Sequence, residues 1–87
     1  MMANETIEIH DIMEAVQREL VRAMDNFPSF NSAHEGYSVI LEELDELWEH
    51  VKANQKNRDW AEMQKEAIQV AAMAIRFAID VHPLNRN

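Results

Sequence analysis

The chain contains no cysteine, only one glycine and only two prolines among its 87 residues. Without cysteine, disulfides and thiolate metal sites are excluded. Such a small share of glycine and proline, beside plentiful Ala, Leu, Glu, Met and Gln, argues against a turn-rich β fold and favours helices. At this length we expect one small all-α domain that spans residues 1–87.

Basic residues and long apolar runs are also scarce. Eight Lys and Arg stand against 16 Asp and Glu, which gives a formal net charge of −8. A chain this acidic is a poor candidate for binding a nucleic acid polymer through its phosphates. No apolar run approaches the roughly 20 residues of a membrane span. The first ten residues carry two acids and no Lys or Arg, which is unlike a secretory signal. We therefore expect no membrane partner and a cytoplasmic location.

The apolar periodicity predicts a first helix over residues 6–25, followed by a loop with two phenylalanines. Pro28 removes a backbone donor and disfavours helical angles at Phe27, so the helix is expected to end there. Phe27 and Phe30 are predicted to plug the end of a helical bundle. The loop thus separates the first helix from the acidic part of the chain.

Ser32 and Glu35 have capping-box spacing and predict a second helix that runs to about residue 53. Five of the eight residues from 42 to 49 are acids. The apolar residues of this helix span an arc of about 120° that we expect to face the core. These residues are Tyr37, Ile40, Leu41, Leu44, Leu47, Trp48 and Val51. Glu43 lies at one edge of the arc, and Glu46 lies one turn further along.

A third helix is predicted over residues 59–81, with Asp59 as its cap and Pro83 beyond its end. It is apolar around nearly its whole circumference, which is typical of a buried helix. Two other helices of so short a chain cannot cover it, so we predict a homodimeric helical bundle or a tetramer. One polar stripe interrupts it: Glu62, Glu66, Gln69, Arg76 and Asp80. The last two are four residues apart and are expected to form a surface ion pair.

Glu43 with Glu46, and Glu66 with Gln69, are two pairs with three-residue spacing on successive helices. Each pair lies on one helix face, and the two faces can meet across packed helices. Three carboxylates and an amide oxygen suit hard cations such as Mg²⁺ or Mn²⁺. The alternative is that the acids only form a solvated helix face. Against it, Glu43 lies at the edge of the core arc and Glu66 interrupts an apolar helix.

These residues resemble the hallmark of the MazG-like all-α nucleoside triphosphate pyrophosphohydrolases, which are related to the dimeric dUTPases. That family has an ExxE pair on one helix and an ExxD pair on the next. Here Glu43 and Glu46 stand as the first pair, and Glu42 before them completes an EExxE run. Nineteen residues separate Glu46 from Glu66, and Gln69 stands where the family has Asp. The loop from Phe27 onward looks like that of small phage and bacterial members.

The resemblance implies an enzyme that uses carboxylate-bound Mg²⁺ to cleave a nucleoside triphosphate into a nucleoside monophosphate and pyrophosphate, for cleansing of the nucleotide pool. Glu43, Glu46 and Glu66 would be the catalytic metal ligands, with Gln69 as a weaker ligand. Glu42 would orient a ligand or a water. Arg76 and His50 are the candidates for contacting substrate.

The alternative follows from Gln69. A neutral amide in place of a carboxylate lowers the negative charge of the site. The chain would then be a non-catalytic helical oligomer that binds nucleotides or other proteins.

Overall fold

The computed structural model describes residues 6–85, and every regular element in that range is helical. Helix α1 is Ile9–Asn26, α2 is Ala33–Val51 and α3 is Trp60–Asp80. Two short 3₁₀ turns, Gln55–Asn57 and Pro83–Asn85, follow α2 and α3. The protein is therefore all-α, as its composition predicts. None of the helices in this range has the length and apolar character needed to cross a membrane.

Helix α1 begins at Ile9, three residues later than the periodicity predicts. The reason is local, because Glu8 is its N-cap and the Glu8 backbone N–H donates to Asp11 Oδ2 at 3.0 Å. The spacing of apolar residues gives no information on such a cap. The helix ends at Asn26, and Phe27 takes an extended conformation as the proline after it requires.

The predicted caps of α2 and α3 are confirmed. Ser32 Oγ accepts from the Glu35 backbone N–H at 3.0 Å, and the Asp59 carboxylate accepts from the Glu62 N–H at 3.1 Å. The Glu35 carboxylate accepts from both the backbone N–H and the side-chain amide of Asn31, each at 3.0 Å. Glu35 therefore ties the preceding loop to the start of α2.

Helix α3 is the central element, because both α1 and α2 pack on it while packing little on each other. The chain is extended for its size. Its radius of gyration is 15.4 Å, against about 12 Å for a compact domain of this length. The arrangement leaves a groove between α1 and α2 with α3 as its floor.

Little of the chain is deeply buried. The buried apolar side chains are Val16, Ala23, Phe30 and Ala72. The prediction that the apolar arc of α2 faces the core is wrong for four of its members, which are 40–63% exposed: Tyr37, Leu41, Leu44 and Trp48. The physical reason is that, among the described helices, α2 packs closely on α3 alone, and one helix covers only part of such an arc. Phe27 and Phe30 were both predicted to pack into the end of the bundle. Phe30 is buried as predicted, but Phe27 is 58% exposed.

Arg76 and Asp80 pair as their spacing predicts, but the pair is buried rather than at the surface. The two residues are 4% and 6% exposed, and Arg76 Nε lies 3.6 Å from Asp80 Oδ2. Arg76 Nη1 donates to the Ala23 carbonyl at 2.9 Å, and Nη2 donates to the Phe27 carbonyl at 2.7 Å. The Ala23 carbonyl also accepts from the Phe27 backbone N–H at 2.9 Å, so Arg76 adds a donor at the C-terminus of α1, where side chains commonly hydrogen-bond the last carbonyls. Arg76 thereby fastens α1 to α3.

Asp80 completes this network from the other side. Its Oδ2 accepts from the Phe30 backbone N–H at 3.0 Å, and the Arg76 guanidinium lies 5.6 Å from the centre of the Phe30 ring. The network holds the loop between α1 and α2 against α3. Both terminal nitrogens of Arg76 donate to backbone carbonyls, and its contact with a substrate stays a prediction.

Candidate metal centre

Three carboxylates from two helices meet where α2 packs on α3. Glu43 and Glu46 on α2 and Glu66 on α3 each place an oxygen so that the three atoms lie within 4.8 Å of one another. The three-residue spacing puts the first two on one face of α2, and the packing of α2 on α3 brings Glu66 opposite them. We call these three residues the Glu43–Glu46–Glu66 cluster. Their carboxylate oxygens are close enough to one another to share a cation, and oxygen is the donor type that hard cations prefer.

The members of the cluster differ in exposure. Glu66 is 8% exposed, Glu43 is partly buried and Glu46 is exposed. Burial, together with the charges of Glu46 and Glu66, raises the pKa of Glu43 to about 7. Burial and the nearby Glu46 also raise the pKa of Glu66. Carboxylates crowded in this way are stabilised by taking up a proton or a cation.

Gln69 lies against the cluster, on the same side of α3 as Glu66. When its amide nitrogen faces the carboxylates, it donates to Glu43 Oε2 at 2.8 Å and to Glu66 Oε2 at 3.3 Å. The opposite orientation would set the amide oxygen against carboxylate oxygens. The amide therefore bridges α2 and α3 as a hydrogen-bond donor, and it would have to turn over to offer its oxygen to a cation.

A second group of potential ligands shares Glu66. One ligand atom each of His50, Glu62 and Glu66 also lie within 4.8 Å of one another. His50 follows Glu46 by one helical turn, and Glu62 precedes Glu66 by one turn, so this group extends the cluster along both helices. The sequence prediction treats Glu62 only as part of a cap and a polar stripe. The four-residue spacing of Glu62 and Glu66 was the signal in the sequence that could have placed Glu62 beside Glu66.

The other three acids between residues 42 and 49 are exposed to solvent. Glu42 is exposed, and its visible effect on the cluster is electrostatic, since its charge contributes to the raised pKa of Glu43. Asp45 and Glu49 are also exposed, and Glu49 Oε2 pairs with Lys52 Nζ at 2.9 Å. The acidic run therefore divides into a cluster that faces the groove and acids that face solvent.

A cavity of about 550 Å³ opens beside the cluster, between α1, α2 and α3. Glu43 and Gln69 are among its lining residues. Its walls are largely apolar and come from Phe27, Phe30, Val39 and Met73, with Glu19 and Arg22 at the α1 side. Arg22 Nε donates to Glu19 Oε2 at 3.1 Å, and this hydrogen bond lowers the pKa of Glu19.

The geometry thus joins a hard-donor cluster to a ligand-sized, mostly apolar cavity. No family model, curated protein or solved structure matches the chain. The resemblance to MazG-like enzymes therefore stays a prediction from the sequence.

Proposed function

We propose that this chain is a Mg²⁺-dependent nucleoside triphosphate pyrophosphohydrolase of the MazG-like kind. The observation that supports this proposal most is the cluster itself. Two helices that are separate in sequence bring Glu43, Glu46 and Glu66 within 4.8 Å of one another beside a cavity. A solvated helix face would not require Glu66 to be buried between helices.

The residues present fit a hard divalent cation. All three donors are carboxylate oxygens, which suit Mg²⁺ and, less selectively, Mn²⁺. Two of the three have a raised pKa, so the site stores unfavourable charge that a cation would relieve. When bound, Mg²⁺ would neutralise the phosphates and lower the pKa of a coordinated water. Glu43, Glu46 and Glu66 would hold it.

The cavity fits the rest of such a substrate. Ligand pockets typically enclose about 300–1,000 Å³, and this cavity encloses about 550 Å³. Its aromatic and aliphatic walls suit a base. Glu43 belongs both to the lining and to the cluster, so the phosphates would lie beside Glu43. With a net charge of −8, the chain repels a free polyphosphate, so a cation is needed for binding.

In the proposed reaction, water attacks the α- or the β-phosphorus of the triphosphate. The bond between that phosphorus and the oxygen that bridges the α- and β-phosphates breaks. The products are a nucleoside monophosphate and pyrophosphate, and the water proton is released to a base or to solvent. The chain contributes the position of the substrate. The cluster orients the phosphates, and the apolar walls exclude competing water from the base end.

Pyrophosphate release over a panel of canonical and modified nucleoside triphosphates, with Mg²⁺ or Mn²⁺, tests this function. We expect turnover with at least one of them, and a loss of 100-fold or more in Glu43→Gln and Glu46→Gln. Glu49→Gln is the matched control, because it makes the same change on an exposed position of the same helix, and it should keep full activity. Absence of turnover across the panel would contradict the proposal.

A second candidate function rests on Gln69. Its amide donates to two carboxylates of the cluster and so does part of what a cation would do. The chain would then be a non-catalytic oligomer that binds nucleotides or other proteins. Nucleotide binding by calorimetry without any turnover, at the same metal concentrations, would favour this alternative.

A further inference from the structure

A small hollow between α1 and α3 gathers several of the few cations of this acidic chain. It encloses about 330 Å³. Three of the chain's eight Lys and Arg residues line it, against a single carboxylate: Arg18, Arg22, Lys65 and Glu19. The lining therefore carries a formal excess of positive charge, whereas the chain as a whole has a net charge of −8. We call this region the basic hollow.

Helical spacing and packing explain why these cations meet. Arg18 and Arg22 are four residues apart, so they lie on one face of α1. Lys65 belongs to α3, and the packing of α1 on α3 brings it to the same hollow. The hydrogen bond from Arg22 lowers the pKa of Glu19, and the charge of Lys65 adds to this lowering. Lys65 is thus within electrostatic reach of α1, and the two helices surround the hollow with positive charge.

The three cations are only weakly engaged within the chain, and all three residues are exposed. Arg18 Nη1 lies 3.9 Å from Glu14 Oε2, and these two side chains are 72% and 64% exposed. Exposed pairs of this kind contribute little to stability. Arg22 donates to Glu19 through Nε and Nη2, while Lys65 forms no salt bridge in the described part of the chain. The cations can therefore turn toward an anion at small cost.

The chemistry of the lining suits phosphate oxygens. The planar fork of arginine matches the geometry of a phosphate, and lysine adds a compact charge. The volume is at the low end of the roughly 300–1,000 Å³ that is typical of ligand sites. The only apolar residues of the lining are Ala15 and Ile68, whereas the larger cavity has aromatic walls. The basic hollow therefore suits a small polyanion rather than a base.

The basic hollow is next to the larger cavity of the candidate metal centre. Glu19, Arg22 and Gln69 line both of them. Gln69 also lies against the carboxylates, since its amide donates to Glu43 and Glu66. A ligand in the larger cavity would thus have the three cations beside it.

We propose that the basic hollow binds a pyrophosphate group, with Arg18, Arg22 and Lys65 as its contacts. At the cluster a polyphosphate needs a bound cation, whereas the basic hollow supplies its cations from the chain itself. The net charge of −8 repels an anion from a distance, but at physiological ionic strength this repulsion is screened beyond about 8 Å. Close to the hollow, the three cations therefore dominate.

The proposed hydrolysis gives this anion an origin. Cleavage between the α- and β-phosphates releases pyrophosphate, and the basic hollow would hold it until it leaves. This origin rests on the proposed function, whereas the binding of pyrophosphate itself does not.

A titration of the isotope-labelled full-length chain with sodium pyrophosphate, followed by amide chemical shifts, tests the site. The buffer contains a chelator and has an ionic strength of about 0.15 M. We expect saturable shifts centred on residues 15–22 of α1 and 64–69 of α3. Inorganic phosphate should bind about fivefold more weakly, because it engages fewer of the cations. Shifts that do not saturate, shifts centred elsewhere, or equal affinity for the two anions would overturn the proposal.

Two double variants locate the contacts. Arg18→Gln with Lys65→Gln should weaken pyrophosphate binding by about tenfold or more. Lys52→Gln with Lys56→Gln is the matched control, because it removes the same charge from exposed positions outside the lining. Its dissociation constant should stay within about twofold of that of the wild type. Equal weakening in both variants would mean that net charge attracts the anion, and no weakening in the first would place the anion elsewhere. Either result overturns the proposal.

Turnover assays separate this proposal from the proposed function. If the chain hydrolyses nucleoside triphosphates, pyrophosphate should inhibit it, and Arg18→Gln with Lys65→Gln should raise the inhibition constant by about tenfold. Turnover without pyrophosphate binding in the chelator would overturn the anion site and leave the enzymatic function standing. Saturable binding at the basic hollow without any turnover would support the anion site and contradict the enzymatic function.

Discussion

Glu43 is the residue at which the charge of the cluster is most finely balanced. Its pKa is raised to about 7 by burial and by the carboxylates of Glu46, Glu66 and Glu42. A carboxylate with a raised folded-state pKa binds its proton more tightly in the folded state than in the unfolded state. The folded chain therefore loses stability through this group as the pH rises from about 4.5 to about 7.

We predict that Glu43→Gln stabilises the metal-free protein at pH 8, because the amide imitates the protonated acid. The gain should be about 1 kcal/mol, since the side chain is partly exposed and solvent screens much of the repulsion. It should shrink toward zero at pH 5. Urea unfolding in a chelator at both pH values measures it, with Glu49→Gln as the control that shows no pH-dependent gain. If Glu43→Gln differs from the wild type in unfolding free energy by the same amount at pH 5 and pH 8, then burial and repulsion do not raise the pKa of Glu43.

Gln69 decides how much the cluster depends on a cation. In Gln69→Asp, the two hydrogen bonds to Glu43 and Glu66 are replaced by a fourth negative charge. We predict a metal-free protein that is less stable by about 1–3 kcal/mol and that binds Mg²⁺ roughly tenfold more tightly, because charge and donor number both increase. Calorimetric titration with Mg²⁺ and urea unfolding in a chelator measure the two effects.

Gln64→Asp is the control for this change, because Gln64 is exposed on α3 and lies outside the cluster. It should leave Mg²⁺ affinity unchanged. If Gln69→Asp also leaves it unchanged, the amide does not share a site with the carboxylates.

Among the elements, the junction of α2, α3 and the loop depends on Gly36. A Cβ built on Gly36 would lie 2.5 Å from Phe77 Cδ2 and 2.9 Å from Phe30 Cδ2. The glycine thus permits close packing of the first turn of α2 against two aromatic rings. Helix propensity alone would favour alanine there by about 1 kcal/mol, so the two effects oppose each other.

We predict that the steric effect is larger and that Gly36→Ala lowers the free energy of unfolding by about 1–3 kcal/mol. Ser38→Ala, two residues further along the same helix and exposed, isolates the propensity effect and should be neutral or slightly stabilising. Chemical denaturation of both variants measures the difference. A more stable Gly36→Ala would mean that the two rings can move aside at little cost.

For the whole molecule, the proposed cation site would couple the packing of α2 on α3 to cation binding. We predict that Mg²⁺ at 100 times its dissociation constant stabilises the folded chain by about 2.7 kcal/mol. For a domain of this size, that corresponds to a rise in Tm of at least roughly 10 °C. Calorimetry with and without Mg²⁺, at matched ionic strength, measures it.

The double variant Glu43→Gln with Glu46→Gln is the control for this prediction, because it removes two of the three carboxylate donors. Its Tm should rise by no more than a small fraction of the wild-type increase. An equal rise in the wild type and the double variant would indicate non-specific charge screening rather than a site.

Local chemistry made part of this structure predictable. The caps at Ser32 and Asp59 depend on side chains within three residues of the helix start, so the sequence was sufficient to identify them. The three-residue spacing of Glu43 and Glu46 fixed their common face in the same way. The end of α1 before Pro28 also follows from the local geometry of the chain.

Contacts between elements were not predictable in the same way. The burial of Arg76 and Asp80 depends on contacts distant in sequence, because Arg76 donates to the Ala23 and Phe27 carbonyls at the end of α1 and Asp80 accepts from the Phe30 N–H. The exposure of Leu44 and Trp48 arises because α2 has one neighbouring helix where the apolar arc suggests more. Both depend on which helices become neighbours, and periodicity within one helix carries no information on that.

Composition and short-range spacing were therefore enough to predict the helical class, the caps, the acidic pairs and the excess of apolar surface. Each of these depends on the composition of the chain or on residues within one or two turns of each other. Only the tertiary structure decided that Glu66 meets Glu43 and Glu46, that the Gln69 amide donates to two of these carboxylates, and that a cavity opens beside them. The physical reason is that distances between side chains on different helices are set by packing, which no local pattern specifies.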